Sequence, residues 1–378
     1  MLHYRRFSPR RLPGALCLSL WIGLSACGGD AGVAPTAPPP PARERFVYVA
    51  NQLSNQVSAY RADATTGALT PLPGSPFPAG NTAYAVAVHP AGPFAYVLNW
   101  ASRDILTYTI HPTTGALAVL PGPSTPAGAR PTALTISPTG RFAYATNSAS
   151  NAVAAFTIDA STGTLTAAPG TPVGPGSFPI DLAVAPGGQF AYVANSGTND
   201  VAAYAVDATT GALTELAGPR ALAGAMPNAL AVSPDGKFAF VVNLGGGSVS
   251  AYAIHAATGA LAPAPGSPFL AGSGPESIAI DPSGKFVYVT NSNDNNVSAY
   301  AINSATGALS NVVGSPFDTG LPPGVIAIDP DGRFAYVSHS TSTGISAYAI
   351  HPTTGALTRV AGSPFATGLA PRGIAITR

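Results

Sequence analysis

Residues 229–269 read ALAVSPDGKFAFVVNLGGGSVSAYAIHAATGALAPAPGSPF, four short apolar runs separated by turn-forming residues. In Phe238–Asn243 (FAFVVN) both alternating faces are apolar or small, the pattern of a strand packed between neighbours on both sides rather than one facing solvent. The same run recurs without insertion or deletion. Phe46, Phe94, Phe142, Phe190, Phe238, Phe286 and Phe334 are each 48 residues apart, so the chain holds seven copies of one unit.

A second unbroken column is Gly67, Gly115, Gly163, Gly211, Gly259, Gly307 and Gly355, each preceded by Thr and followed two residues later by Leu. It marks a hairpin turn, where Gly supplies positive φ and the Asp, Asn or His four residues earlier can bond the turn backbone. A third column, Gly92, Gly140, Gly188, Gly236, Gly284 and Gly332, marks another tight turn but occurs only six times. The missing copy has a reason: the chain ends on GIAITR (Gly373–Arg378), a first strand with no second, while residue 45 begins on a second strand with no first.

The expectation is an all-β, seven-bladed β-propeller with four antiparallel strands (A to D) per blade, closed by the C-terminal strand joining the first blade. Strand D carries Pro71, Pro73 and Pro76 in the first unit, which suits an outermost edge that must not pair further.

Ahead of the repeat, arginines at 5, 6, 10 and 11 precede the apolar stretch Ala15–Leu24 and then Ser25-Ala26-Cys27. This reads as an export signal over 1–26, too short to span a bilayer. Leu24-Ser25-Ala26-Cys27 resembles a bacterial lipobox, which implies acylation of Cys27, and Gly28 after it favours outer-membrane sorting. Residues 27–44 form a Gly/Ala/Pro-rich spacer and 45–378 the propeller body. Cys17 would leave with the leader, so no disulfide is expected in the mature chain. Charged residues make up only 9% of the chain and the net charge is +1, slightly negative once the leader arginines are gone, which excludes a polyanion-binding surface.

The YVAN and YVTN runs (Tyr288–Asn291 for the latter) and the recurring D-x-x-T-G-x-L turn resemble the YVTN-type and lactonase-type seven-bladed propellers over residues 45–378. That resemblance implies the architecture. For activity it offers sugar-lactone hydrolases similar to 6-phosphogluconolactonase, relatives similar to muconate cycloisomerases, and many binding members.

Antiparallel blades place the A–B and C–D turns on one face and the B–C loops and blade-to-blade connections on the other. The first face is uniform and the second varies, so a site is expected where the repeat breaks. Directly before strand A one column reads Tyr84, Thr132, Ile180, Asn228, Glu276, Gly324, Arg372, no two alike, and adjacent columns add Arg130 and Asp181. Acids and guanidiniums around one rim could activate water and stabilise an oxyanion on a lactone carbonyl. The bland alternative is a solvated rim whose charges pair with each other.

Strand B ends in Asn six times and in His339 once, which makes His339 the candidate general base, with Glu276 as acid or water-positioner and Arg372 as oxyanion partner. His89, His111, His255 and His351 stand in turn columns and read as turn residues. The loop Trp100-Ala101-Ser102-Arg103-Asp104 could stack on a sugar ring, giving Trp100, Arg103, Asp104, Tyr84 and Asn228 as candidate ligand contacts. No CxxCH, HExxH, P-loop or GxSxG is present, and Asp294 in SNDNN offers too few ligands for calcium, so no cofactor or metal is expected.

The reading is a monomeric cell-envelope propeller that binds a carbohydrate, lactone or protein partner, with lactone hydrolysis at the channel mouth as the alternative.

Overall fold

The computed structural model describes residues 44–378. The export signal, Cys27 and nearly all of the spacer lie outside the described residues. Seven antiparallel sheets follow one another, each with four strands in the order A-B-C-D. In the fifth blade these are Pro227–Val232, Phe238–Asn243, Ser248–Ile254 and Leu261–Pro263. The first blade draws its strands B to D from Arg45–Asn51, Gln56–Ala62 and Leu69–Pro71 and its strand A from Pro371–Ile376. Val47 faces Ile376 and Val49 faces Ile374 across that antiparallel seam. The ring therefore closes between the two ends of the repeat region, as the missing seventh turn implied.

Strand D differs from its expected single run. It is broken in two: Leu69–Pro71 pairs with Tyr60–Ala62, and the two-residue Phe77–Pro78 pairs with Gln56–Val57. The Pro-Gly-Ser-Pro segment between them cannot keep up a ladder, and the Ser75 hydroxyl accepts the Ala59 N–H at 2.9 Å instead. Six blades carry the second piece; in the third blade it is reduced to a bridge between Val153 and Val173.

The apolar core is seven clusters, one at each junction between successive blades. The junction between the last and first blades is built like the others, packing Phe334, Tyr336 and Ile345 against Val47, Val49, Tyr60 and Ile374. The repeated columns are the fasteners of these junctions. The strand-B Tyr donates its hydroxyl to the carbonyl of the turn Gly in the next blade: Tyr48 to Gly115 at 2.7 Å, Tyr96 to Gly163 at 3.0 Å, Tyr336 to Gly67 at 3.2 Å. The strand-B Phe lies under the same Gly. A Cβ on Gly115 would fall 2.4 Å from the Phe46 ring, and its φ of +70° already excludes most side chains.

Only the fifth blade lacks the hydroxyl, because Phe240 stands where six siblings have Tyr. Phe240→Tyr is expected to supply the missing bond to the Gly307 carbonyl and stabilise the chain by about 1 kcal/mol. A thermal melt should show a rise of roughly 2–4 °C; no rise would mean that the junction does not accommodate the hydroxyl.

Candidate functional site

The strands A line a central channel, each touching the strand A of the next blade around the ring. At the variable face the channel opens into a cavity of about 400 Å³. All seven residues of the irregular column line it: Tyr84, Thr132, Ile180, Asn228, Glu276, Gly324 and Arg372. The backbone explains why. In six blades the A–B register shifts at this position, between Pro131 and Ala133 or between Pro275 and Ser277 for example, so the residue is a β-bulge. A bulge leaves its residue out of the ladder and re-aims it. Hydroxyls at the end of strand B hold the carbonyls of this column in the following blade: Thr146 donates to Ile180 at 3.0 Å, Thr290 to Gly324 at 2.7 Å, and Ser338 to Arg372 at 3.1 Å.

Three charged side chains meet in this cavity. Arg372 Nη1 contacts Glu276 Oε1 at 3.3 Å, although the two stand on blades separated by a whole blade. The intervening blade presents Gly324, which places no side chain between them. The guanidinium also lies 5.2 Å from the Tyr84 ring centroid, over its face. Arg372 Nε and Glu276 Oε2 are buried and have no protein partner. Asn228 donates to the Glu276 backbone carbonyl at 2.7 Å, fixing the bulge that carries the acid.

Asp181, next to the bulge in the fourth blade, is the third charge. Its carboxylate accepts the N–H of Leu182 at 2.8 Å and, across the blade boundary, that of Leu230 at 2.9 Å. Burial nevertheless outweighs these two bonds and pushes its pKa up to about 6. By exposed surface the residue is half-buried, and it is one of those lining the cavity.

The remaining candidates lie elsewhere. His339 is fully buried at the end of strand B and is not among the lining residues. Its Nε2 is 2.7 Å from the Ser346 hydroxyl, and burial lowers its pKa. It does for its blade what Asn does in the others, where Asn51 donates to Ser58 and Asn243 to Ser248 and Ser250. The base role expected of His339 at the channel mouth is thus not met by its position: it follows the last residue of strand B, is fully buried, and is bonded to Ser346 rather than lining the cavity.

Arg130 is exposed on the rim, stacked between Trp100 at 5.3 Å and Phe178 at 5.8 Å, three residues from three successive blades. Arg103 is exposed beside them in left-handed backbone. Asp104 serves the loop, accepting from Asn99, Ser102 and Ser124 at 2.6–2.9 Å. His111 and His351 accept turn N–H groups through Nδ1, as Asp63 and Asp159 do in sibling turns. Among the described residues no cluster of His, Cys, Asp or Glu could hold a metal ion.

Phe178 was missed by sequence reading, though it stands in the same column as Arg130. So was the column Gly80, Gly128, Gly176, Gly224, Gly272, Gly320 and Gly368, nineteen residues before the strand-B Asn in five blades, before His339 in the seventh and, across the closure, facing Asn51. In six blades a Cβ there would fall 2.5–2.8 Å from the Asn side chain, so Gly and Asn form one close-packed unit under the variable face.

The model of the family described as lactonase, 7-bladed β-propeller, matches residues 75–227 and 218–378. No curated protein matches the sequence. Among solved structures, a provisionally assigned 6-phosphogluconolactonase from Bacteroides uniformis aligns at 19% identity and TM-score 0.75, over 89% of this chain and 100% of that one. A similar protein from Bacteroides fragilis aligns at 20% and 0.74, over 90% and 100%. The periplasmic gluconolactonase of Pseudomonas aeruginosa aligns at 22% and 0.72, over 88% and 99%. At these identities the likeness shows the fold alone; the family model covers most of the chain, which belongs to the lactonase family of seven-bladed β-propellers.

Proposed function

We propose that the cavity at the variable face binds and hydrolyses a small sugar lactone. The observation that carries this reading is that the chain's irregular positions place Asp181, Glu276 and Arg372 on one cavity of about 400 Å³, on a scaffold whose other positions repeat. Two names among the structurally similar proteins, a gluconolactonase and provisional 6-phosphogluconolactonases, point to the same substrate class.

The chemistry needs a base and an oxyanion partner. Asp181, with its pKa raised to about 6 and its carboxylate facing the cavity, takes a proton from water as the water oxygen attacks the lactone carbonyl carbon. The Arg372 guanidinium, held by Glu276 and Tyr84, neutralises the oxyanion that forms. When the tetrahedral intermediate collapses, the ring C–O bond breaks and Asp181 returns its proton to the departing ring oxygen, leaving an open-chain hydroxy acid.

A second reading, binding without turnover, is favoured by the Trp100–Arg130–Phe178 stack on the same face, in which Arg130 and Phe178 are exposed and could pack on a sugar ring. One assay separates the two. Purified protein should open glucono-δ-lactone faster than the spontaneous rate, and Arg372→Gln should lower the excess by roughly tenfold to a thousandfold. No excess across a panel of five- and six-membered lactones would leave binding alone.

A further inference from the structure

Among the described residues lining the cavity, Arg372 is the one cation, and it is already paired with Glu276. The third charged group there is the Asp181 carboxylate, so with Asp181 ionised the lining is net negative. The chain offers no helix N-terminus at this mouth, since its described residues form strands and turns only. A phosphate group carrying nearly two negative charges would meet two carboxylates and a single guanidinium already paired with one of them. A neutral, hydroxyl-rich ring meets instead the Asn228 and Thr132 side chains at the same rim, polar groups that carry no charge.

We propose that Glu276 is the specificity-determining residue of the cavity: by pairing with Arg372 it leaves no unpaired cation to balance a phosphate dianion, so that the site takes neutral polyhydroxylated lactones and rejects phosphorylated ones. This deepens the lactone reading and rests on it for the class of ligand. Hydrolysis turns a neutral ring into a carboxylate, so the field that admits the substrate disfavours its product and promotes release. The arrangement depends on Gly324: with no side chain on the intervening blade, an acid two blades away can reach the arginine.

The test measures anion binding and needs no turnover. Inorganic phosphate and 6-phosphogluconate are titrated calorimetrically into the parent protein, Glu276→Gln and Glu276→Gln/Arg372→Gln, each checked for folding by its thermal melt. Glu276→Ser replaces the Gln variant if that variant does not fold. The expected result is no saturable binding to the parent, at least tenfold tighter binding once Glu276 is neutral, and loss of that gain in the double variant. Equal binding of phosphate by parent and Glu276→Gln, or no gain in a folded Glu276 variant, overturns the proposal. If the expected pattern holds but no lactone is hydrolysed, the hydrolase reading fails and this one stands. Equal kcat/KM for glucono-lactone and its 6-phosphate in an active parent removes this proposal alone.

Discussion

Deleting residues 371–378 is expected to abolish cooperative folding of the propeller. The deletion removes strand A of the first blade, and with it the ladder on which Val47, Tyr48 and Val49 face Ile376, Ala375 and Ile374. Four or so backbone hydrogen bonds at about 1 kcal/mol each, the buried Ile374 at about 1.5–3 kcal/mol and the half-buried Ile376 at about half that add up to roughly 6–9 kcal/mol. That is comparable to the whole stability of a typical domain, about 5–15 kcal/mol. The loss also uncovers strand B of the first blade, a fully buried run whose edge would then be free to pair with another chain. The truncated protein should aggregate or elute in the void volume, with no sigmoidal melt by circular dichroism. A truncated variant that stayed monomeric and melted within a few degrees of the parent would show that closure contributes little, and that the junctions between the other blades suffice.

Closure was legible because the sequence repeats without a single insertion. Seven Phe residues at one spacing set the number of blades, and the unpaired strand at each end of the repeat region could only be satisfied by the other. The site was legible only in part, for a physical reason. A column in which no two residues agree marks positions freed from the common packing, and all seven of them do line the cavity. A β-bulge turns six of them inward; it follows Pro131, Pro179, Pro227, Pro275 and Pro371, but the bulged residue itself differs in every blade, so its inward turn was not read from the residue type. Nor could spacing tell that Arg372 and Glu276 meet, because they are 96 residues apart and their contact depends on the empty place at Gly324.

His339 misled for the opposite reason. It breaks an otherwise constant Asn column, but the column itself is structural: the Asn side chains link strand B to strand C, as Asn51 does to Ser58, and brace the glycine-lined connection into the next blade, as Gly80 N–H does on Asn99 Oδ1 at 3.1 Å. An imidazole that keeps the link to Ser346 can replace the amide without gaining access to solvent. The same logic explains one orphan. Asn55, Asn151 and Asn199 accept the N–H found 27 residues later in the chain, but the partner of Asn295 would be Pro322, which has none, so Asn295 Oδ1 is left buried and unpaired.

Asp181→Asn is expected to remove lactone hydrolysis and, above neutral pH, to make the protein more stable. Both effects come from one cause. Burial raises the Asp181 carboxyl from 3.8 to about 6, so ionisation is disfavoured in the folded chain relative to the unfolded one. Below about pH 4 the group is protonated in both states and has no effect on stability. As the pH rises through 6 the unfolded chain has already released the proton and the folded chain holds a costly charge, so the parent loses stability in that interval. A gap of about two pH units corresponds to roughly 3 kcal/mol, an upper bound because the side chain faces the open cavity. The Asn variant is neutral throughout and keeps an acceptor for one of the N–H groups of Leu182 and Leu230. Its melting temperature should therefore match the parent near pH 4 and exceed it by several degrees at pH 8, while kcat falls by about a hundredfold to ten-thousandfold. Melts that run parallel across that range would mean that Asp181 is well solvated and unfit as a base near neutrality. A stabilised variant with undiminished hydrolysis would place the base on another residue.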